Sequence, residues 1–181
     1  MQAHGCWWTA PWKKLEQEWQ ATSTRAQQHL TKIADSVQKT TYLDGEHWGA
    51  LADCALLQER ALSRLLELVH RCRKRLHDDI DALSDIVRRM RDLLYEESSR
   101  VSSSKNNDER LRQRYEAFLL ELVVMYEREL IGKSLIAADV ANCEKHDTMT
   151  LYIAAWQMQP HIDRARIDEI HLLVQNDAHY S

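Results

Sequence analysis

The chain has 181 residues, a net charge of −4 and a pI near 6.1, a length that suits one domain and barely two small ones. Four Gly and two Pro are too few turn formers for a sandwich or barrel, so the composition predicts an all-α protein. The acidic balance lacks the Lys and Arg surplus of a duplex binder, and no apolar run approaches the roughly 18 residues that a membrane span requires.

In chain order, residues 1–10 read as a flexible N-terminus, with "CWW" at 6–8 too short for a signal peptide. A first helix is expected over about 11–39. Pro11 suits its opening position, where a missing amide is harmless. Trp12, Leu15, Trp19, Ala26, Leu30, Ile33 and Val37 keep the three-and-four spacing of one helical face. Trp12 and Trp19 share that face, either as a core plug or as anchors for a partner; Trp7 and Trp8 lie just before it. Asp44-Gly45 then marks a turn.

The second helix is expected over about 48–97. With Trp48 at heptad position a, the a set continues as Ala55, Leu62, Val69, Leu76, Leu83 and Met90. Position d holds Leu51, Leu65, Cys72, Ile86 and Leu93, and position e adds Leu66, Ile80, Val87 and Leu94. Gln58 and Asp79 are polar exceptions at d. A seam this wide predicts a multi-helix bundle rather than a two-stranded zipper. One helix of that span would be on the order of 75 Å long, which predicts an elongated molecule. "HRCRKR" at 70–75 places Arg71, Lys74 and Arg75 outward, as a solvated stripe, an import signal or a surface for an acidic partner.

Residues 98–109 read as a polar connector, with Asp108 placed to cap a third helix. That helix carries Leu111, Tyr115, Phe118, Leu122 and Met125, with Leu119 and Tyr126 on its flank, and continues to about 142. Glu129 falls where an apolar residue is expected, either at a rim reaching water or as an anchor for a cation. "CEKHD" turns the chain, and Asp147 or Thr148 is placed to cap a fourth helix. Pro160 interrupts that helix, which should end near Gln159 and kink into a last segment with Ile162, Ile170, Leu173 and Val174. Trp156 would fill the bend. The whole is an elongated antiparallel bundle, or coiled coil, of about four helices over 11–176, followed by a tail at 177–181.

No catalytic constellation emerges. Glu67-x-x-His70 and Asp168-x-x-His171 imitate dimetal ligand pairs, but Glu67 and His70 fall on the outer positions of the register. Cys143-x-x-His146 and His4-x-Cys6 each lack a second ligand pair, and Cys72 reads as a small core residue. No metal and no cofactor is expected. The four spread cysteines, without CxxC pairs, suit a reducing compartment.

"MYERELIGKSLIAADV" followed by "HDTMTLYIAAWQMQPHID" resembles the C-terminal signature of the cyclin-dependent kinase 2-interacting protein family (CINP). The resemblance rests on Met125, Tyr126, Glu129, Leu130, Asp147, Met149, Thr150, Trp156, Gln159 and Pro160, with Trp12, Leu15 and Trp19 similar to that family's first helix. The family's leading basic tail is missing, and its Pro- and aromatic-rich segment before the third helix is replaced by "SSRVSSSKNND". The resemblance implies a non-enzymatic adaptor of nucleus and cytoplasm that pairs with another helical subunit and with AAA+ ATPases. It implies duty in large ribosomal subunit maturation, in replication-protein turnover and in the DNA-damage checkpoint. Trp12, Trp19, Met125, Tyr126, Glu129, Leu130, Trp156, Gln159 and Pro160 would then carry partner binding, without direct contact to nucleic acid or membrane. A kinase or checkpoint scaffold without a motor is the alternative; the chain has no Ser-Pro or Thr-Pro, which disfavours a proline-directed substrate. A metal-dependent bundle oxidase is the alternative among enzymes.

Overall fold

The computed structural model describes residues 7–43, 49, 53–99 and 106–180. Among them the structure is all-α. The helices are α1 (Thr9–Thr40), α2 (Ala55–Ser99), α3 (Asn106–Asp139), α4 (His146–Met158) and α5 (Arg164–Tyr180). None is long and apolar enough to cross a membrane.

The helix ends follow local chemistry. The first α1 bond runs from the Trp12 amide to the Trp8 carbonyl at 2.9 Å. Pro11 therefore lies in the first turn, where no amide has an intrahelical acceptor, though two residues deeper than the opening position. At the other end, the hydroxyls of Thr40 and Thr41 donate to the Val37 and Gln38 carbonyls at 2.6 and 2.7 Å. They occupy acceptors that the next turn would have used. The described part of α2 begins where the Cys54 carbonyl accepts from Leu57 and Gln58; Trp48 and Leu51 lie outside the described residues.

Other boundaries differ from expectation. Asp108 lies inside α3, so it is not the cap, and residues 100–105 lie outside the described set. Lys145, not Asp147 or Thr148, is the N-cap of α4, without a side-chain bond; Asp147 sits in the first turn, where a carboxylate favours the helix dipole. Trp8 is buried and Thr9 opens α1, so residues 7–10 of the expected flexible stretch belong to the folded chain. Residues 1–6, which include His4 and Cys6, lie outside the description. In the expected tail, α5 continues to Tyr180.

Packing groups the chain into two compact units. The first combines α1 up to Ala21, α2 from Leu83, α3 up to Leu130 and the chain from Pro160 onward. Its interior holds Trp8, Trp12, Trp19, Leu83, Met90, Leu119, Leu122, Tyr126 and Ile170. Trp12 and Trp19 each meet the Tyr126 ring edge-on, at centroid distances of 5.7 and 5.1 Å. Ion pairs tie neighbouring helices around this unit: Glu18 to Arg89, Arg91 to Glu127, Glu121 to Arg166, Arg114 to Asp177, and Arg164 to Glu16.

The second unit combines residues 22–40 of α1, α2 up to Ala82, α3 from Ile131, and α4. Ala26, Leu30, Ile33 and Val37 pack with Cys72 and Leu76, with Ala137 and Val140, and with Met149 and Trp156. Asp79, the polar exception at d, is buried, and Arg25 grips it at 2.6 and 2.7 Å. Here the expected seam thins out. The α2 side chains packed on the core start at Leu68, while Leu56, Leu57, Leu62 and Leu66 stay exposed. The register explains it. With Arg25 level with Asp79 and the helices running in opposite senses, α1 ends at Thr40 near the level of residue 65, and the first turns of α2 have no α1 beside them.

Candidate partner-binding surface

The residues expected to grip a partner are mostly interior. Trp12, Trp19, Tyr126, Glu129, Trp156 and Gln159 are buried within their own units, Met125 and Leu130 are half-buried, and Pro160 is exposed. The core alternative for the tryptophans therefore holds, and the anchor role is corrected: a fully buried indole meets no partner without opening the bundle. The rim alternative for Glu129 is corrected too. It is 2% exposed, and its Oε2 accepts the backbone N–H of His161 at 3.2 Å.

The signature residues instead build a turn. In a continuing helix the Trp156 carbonyl would accept from residue 160, but a proline has no N–H to give. Lys133, 1% exposed, supplies the donor: its Nζ bonds to the Trp156 carbonyl at 2.8 Å and sits 4.4 Å from the centroid of the Trp156 ring. The indole N–H of Trp156 donates in turn to the Ser23 carbonyl at 3.0 Å, fixing α4 to α1. Gln159 closes the helix in the left-handed region, at φ 49° and ψ 64°, with its amide on the Ala155 carbonyl. Residues before proline avoid the right-handed helical region, which is why the turn breaks there. In the first unit, Asp163 restarts the chain as a helix: its carboxylate accepts the Arg166 amide at 3.0 Å and its carbonyl accepts the Ile167 amide. The break at Pro160 was legible in the sequence. The Lys133 donor was not, because a lysine among apolar residues carries no mark of which carbonyl it will reach.

Tyr126 shows the same inward use. Its hydroxyl donates to Glu16 at 2.9 Å, and burial, with the Glu16 charge second, pushes its ionisation well above the ordinary tyrosine range. At the outer edge of the second unit the Tyr152 hydroxyl donates to Asp139 at 2.6 Å; that bond, ahead of burial, raises the Tyr152 pKa.

What these residues scaffold is the outer face of an antiparallel pair. The Lys133–Trp156 and Asp139–Tyr152 contacts set the register of α3 against α4, with Leu135 level with Ala155 and Ile131 near Met158. Ile131, Leu135 and Ala138 recur at four and three residues on the α3 side away from Lys133 and Ala137, and all three are exposed. Leu151 and Met158, seven apart, are exposed on α4. Leu135 is 67% and Met158 78% exposed. Charge is nearly absent from these stretches: 130–138 and 148–160 contain Lys133 alone, and it is buried. In a chain with 29% charged residues, both helices thus turn uncharged, apolar side chains to water. The seven-residue spacing is visible in the sequence, but periodicity does not say which side faces inward.

Among the described residues no three His, Cys, Asp or Glu side chains gather as a metal site. Glu67, His70 and Asp168 are exposed and His171 is half-buried. No protein-family model, no curated protein and no solved structure matches the chain.

Proposed function

We propose that the protein is a helical adaptor, a subunit that assembles with another helical protein and with AAA+ ATPases in large ribosomal subunit maturation and replication-protein turnover. The observation that carries the adaptor reading is the uncharged, exposed apolar face of α3 and α4. Monomeric proteins rarely leave contiguous apolar surface in water, and such faces mark protein interfaces. The cargo pathway rests on the resemblance of residues 125–160 to the CINP signature, the same stretch from which this face is built.

Affinity purification with mass spectrometry tests it. The wild-type chain should retrieve an AAA+ ATPase and a small helical protein, and the Leu135→Glu/Leu151→Glu variant should lose them while keeping its helicity. Retrieval of cell-cycle kinases without an ATPase would replace this reading with the scaffold. Retention of every partner by the variant would remove the α3–α4 face from the account.

A further inference from the structure

The net charge of −4 averages over the chain and conceals one positive stretch. On α2, residues 68–77 hold Arg71, Arg73, Lys74 and Arg75 and no Asp or Glu. All four cations are exposed. Every other exposed residue from Glu67 to Asp78 is charged or histidine, because Leu68, Val69, Cys72 and Leu76 pack toward the core of the second unit. Glu67 and Asp78 stand one helical turn from Arg71 and Lys74, yet among the described residues none of these side chains makes an ion pair. Elsewhere on α2, Arg88, Arg89 and Arg91 are each held by a carboxylate. Helix α1 widens the patch, since the exposed Lys32 and Arg75 both lie near His29.

We propose that this stretch of α2 binds duplex DNA through its phosphates, as a sequence-independent contact in the major groove. Each residue turns about 100° around a helix, so Arg71 and Arg73 leave α2 on flanks about 160° apart, with Lys74 between them. A flat acidic surface meets one flank at a time. The major groove of B-form DNA admits an α-helix and has a phosphate backbone along each wall, so it meets both flanks. Arginine forks suit phosphate oxygens, and three of the four cations are Arg. Other anionic partners need something that is missing here. A partner helix and a membrane surface both bury apolar side chains beside the charges, and no apolar residue is exposed between Glu67 and Asp78. Counterion release drives such binding, and it depends on the local patch rather than on the average over the chain. The surplus of Lys and Arg that a duplex binder needs, absent from the chain as a whole, is present on this face. DNA binding goes beyond the adaptor reading and does not depend on it.

The probe is a short fluorescein-labelled DNA duplex of arbitrary sequence, titrated with the full chain and read by anisotropy. It should bind with a Kd on the order of micromolar at low salt, and log affinity should fall against log salt with a slope of about −4, for four or five phosphate contacts. Arg71→Glu/Arg73→Glu should weaken binding about tenfold or more and flatten the slope by about two, with the circular dichroism unchanged. Lys13→Glu/Lys14→Glu makes the same change in net charge on exposed residues of the first unit, and it should leave affinity within about twofold. Equal losses in the two variants would overturn the proposal, because net charge and not this patch would then govern binding. Failure of the duplex to bind would overturn it as well. So would equally tight binding to polyglutamate or to phosphatidylserine vesicles, or to an RNA duplex, whose major groove is too narrow for a helix. None of these outcomes touches the α3–α4 face, which the purification decides separately.

Discussion

A proline and a lysine 27 positions apart in sequence solve one local problem. Pro160 deprives the Trp156 carbonyl of its helical donor, and Lys133 restores one from another helix. Lys133→Met keeps most of the side chain's length but leaves that carbonyl unmet, so it should cost about 1–3 kcal/mol in urea unfolding. Loss well below that range would mean that water replaces the ammonium there. His29 presents a second case. It lies against Asp79, with Arg25, Lys32 and Arg75 nearby, and its Nδ1 has no hydrogen-bond partner among the described residues. Burial lowers its pKa, and Asp79 only partly opposes that shift. The unfolded chain therefore takes up the proton first. Stability from His29 is complete above its ordinary value of 6.5 and falls as pH drops through that value toward the lower native one. Thermal melts across this window should show the fall in the wild type and a smaller one in His29→Gln.

At the scale of the helix, α2 has two characters within one continuous heptad pattern. From Leu68 onward its seam is packed, and Leu76, Leu83 and Met90 are fully buried. Before that point the same pattern faces water. Leu83→Ala should destabilise by about 2–5 kcal/mol, the range for a core leucine, whereas Leu62→Ala should change stability by less than about 0.5 kcal/mol. Equal effects in denaturant melts would show that the first turns of α2 are packed after all. Helix type and approximate extent were legible from the three-and-four spacing of Leu, Ile and Val. The change of character was not, because a periodic stripe records that a face is apolar and not where its neighbour stops. Thr40 ends α1, and only the Arg25–Asp79 register reveals how far along α2 that end falls.

For the molecule as a whole, the two units differ in how completely they close. Among the described residues, the first is tied between helices by five ion pairs and exposes Tyr95, Leu120 and Leu172 among large hydrophobics. The second exposes Tyr42, Leu56, Leu57, Leu62, Leu66, Ile131, Leu135, Leu151 and Met158. Exposed apolar surface thus concentrates in the second unit. The purified chain should bind a hydrophobic dye such as ANS while fully helical, and the Leu62→Glu/Leu66→Glu/Leu135→Glu/Leu151→Glu variant should lose most of that signal with its helicity intact. Undiminished dye binding would place the exposed apolar surface elsewhere.

The sequence by itself determined an all-α chain, because scarce Gly and Pro and a dominant three-and-four period leave no other regular structure. It also determined the break at Pro160, because a missing amide is a local fact. Tertiary structure alone decided that Trp8, Trp12, Trp19 and Trp156 lie inside and that Leu56, Leu57, Leu62 and Leu66 of α2 and Leu151 of α4 lie outside. Burial depends on which element lies alongside, and a residue's own neighbours in the chain do not carry that information.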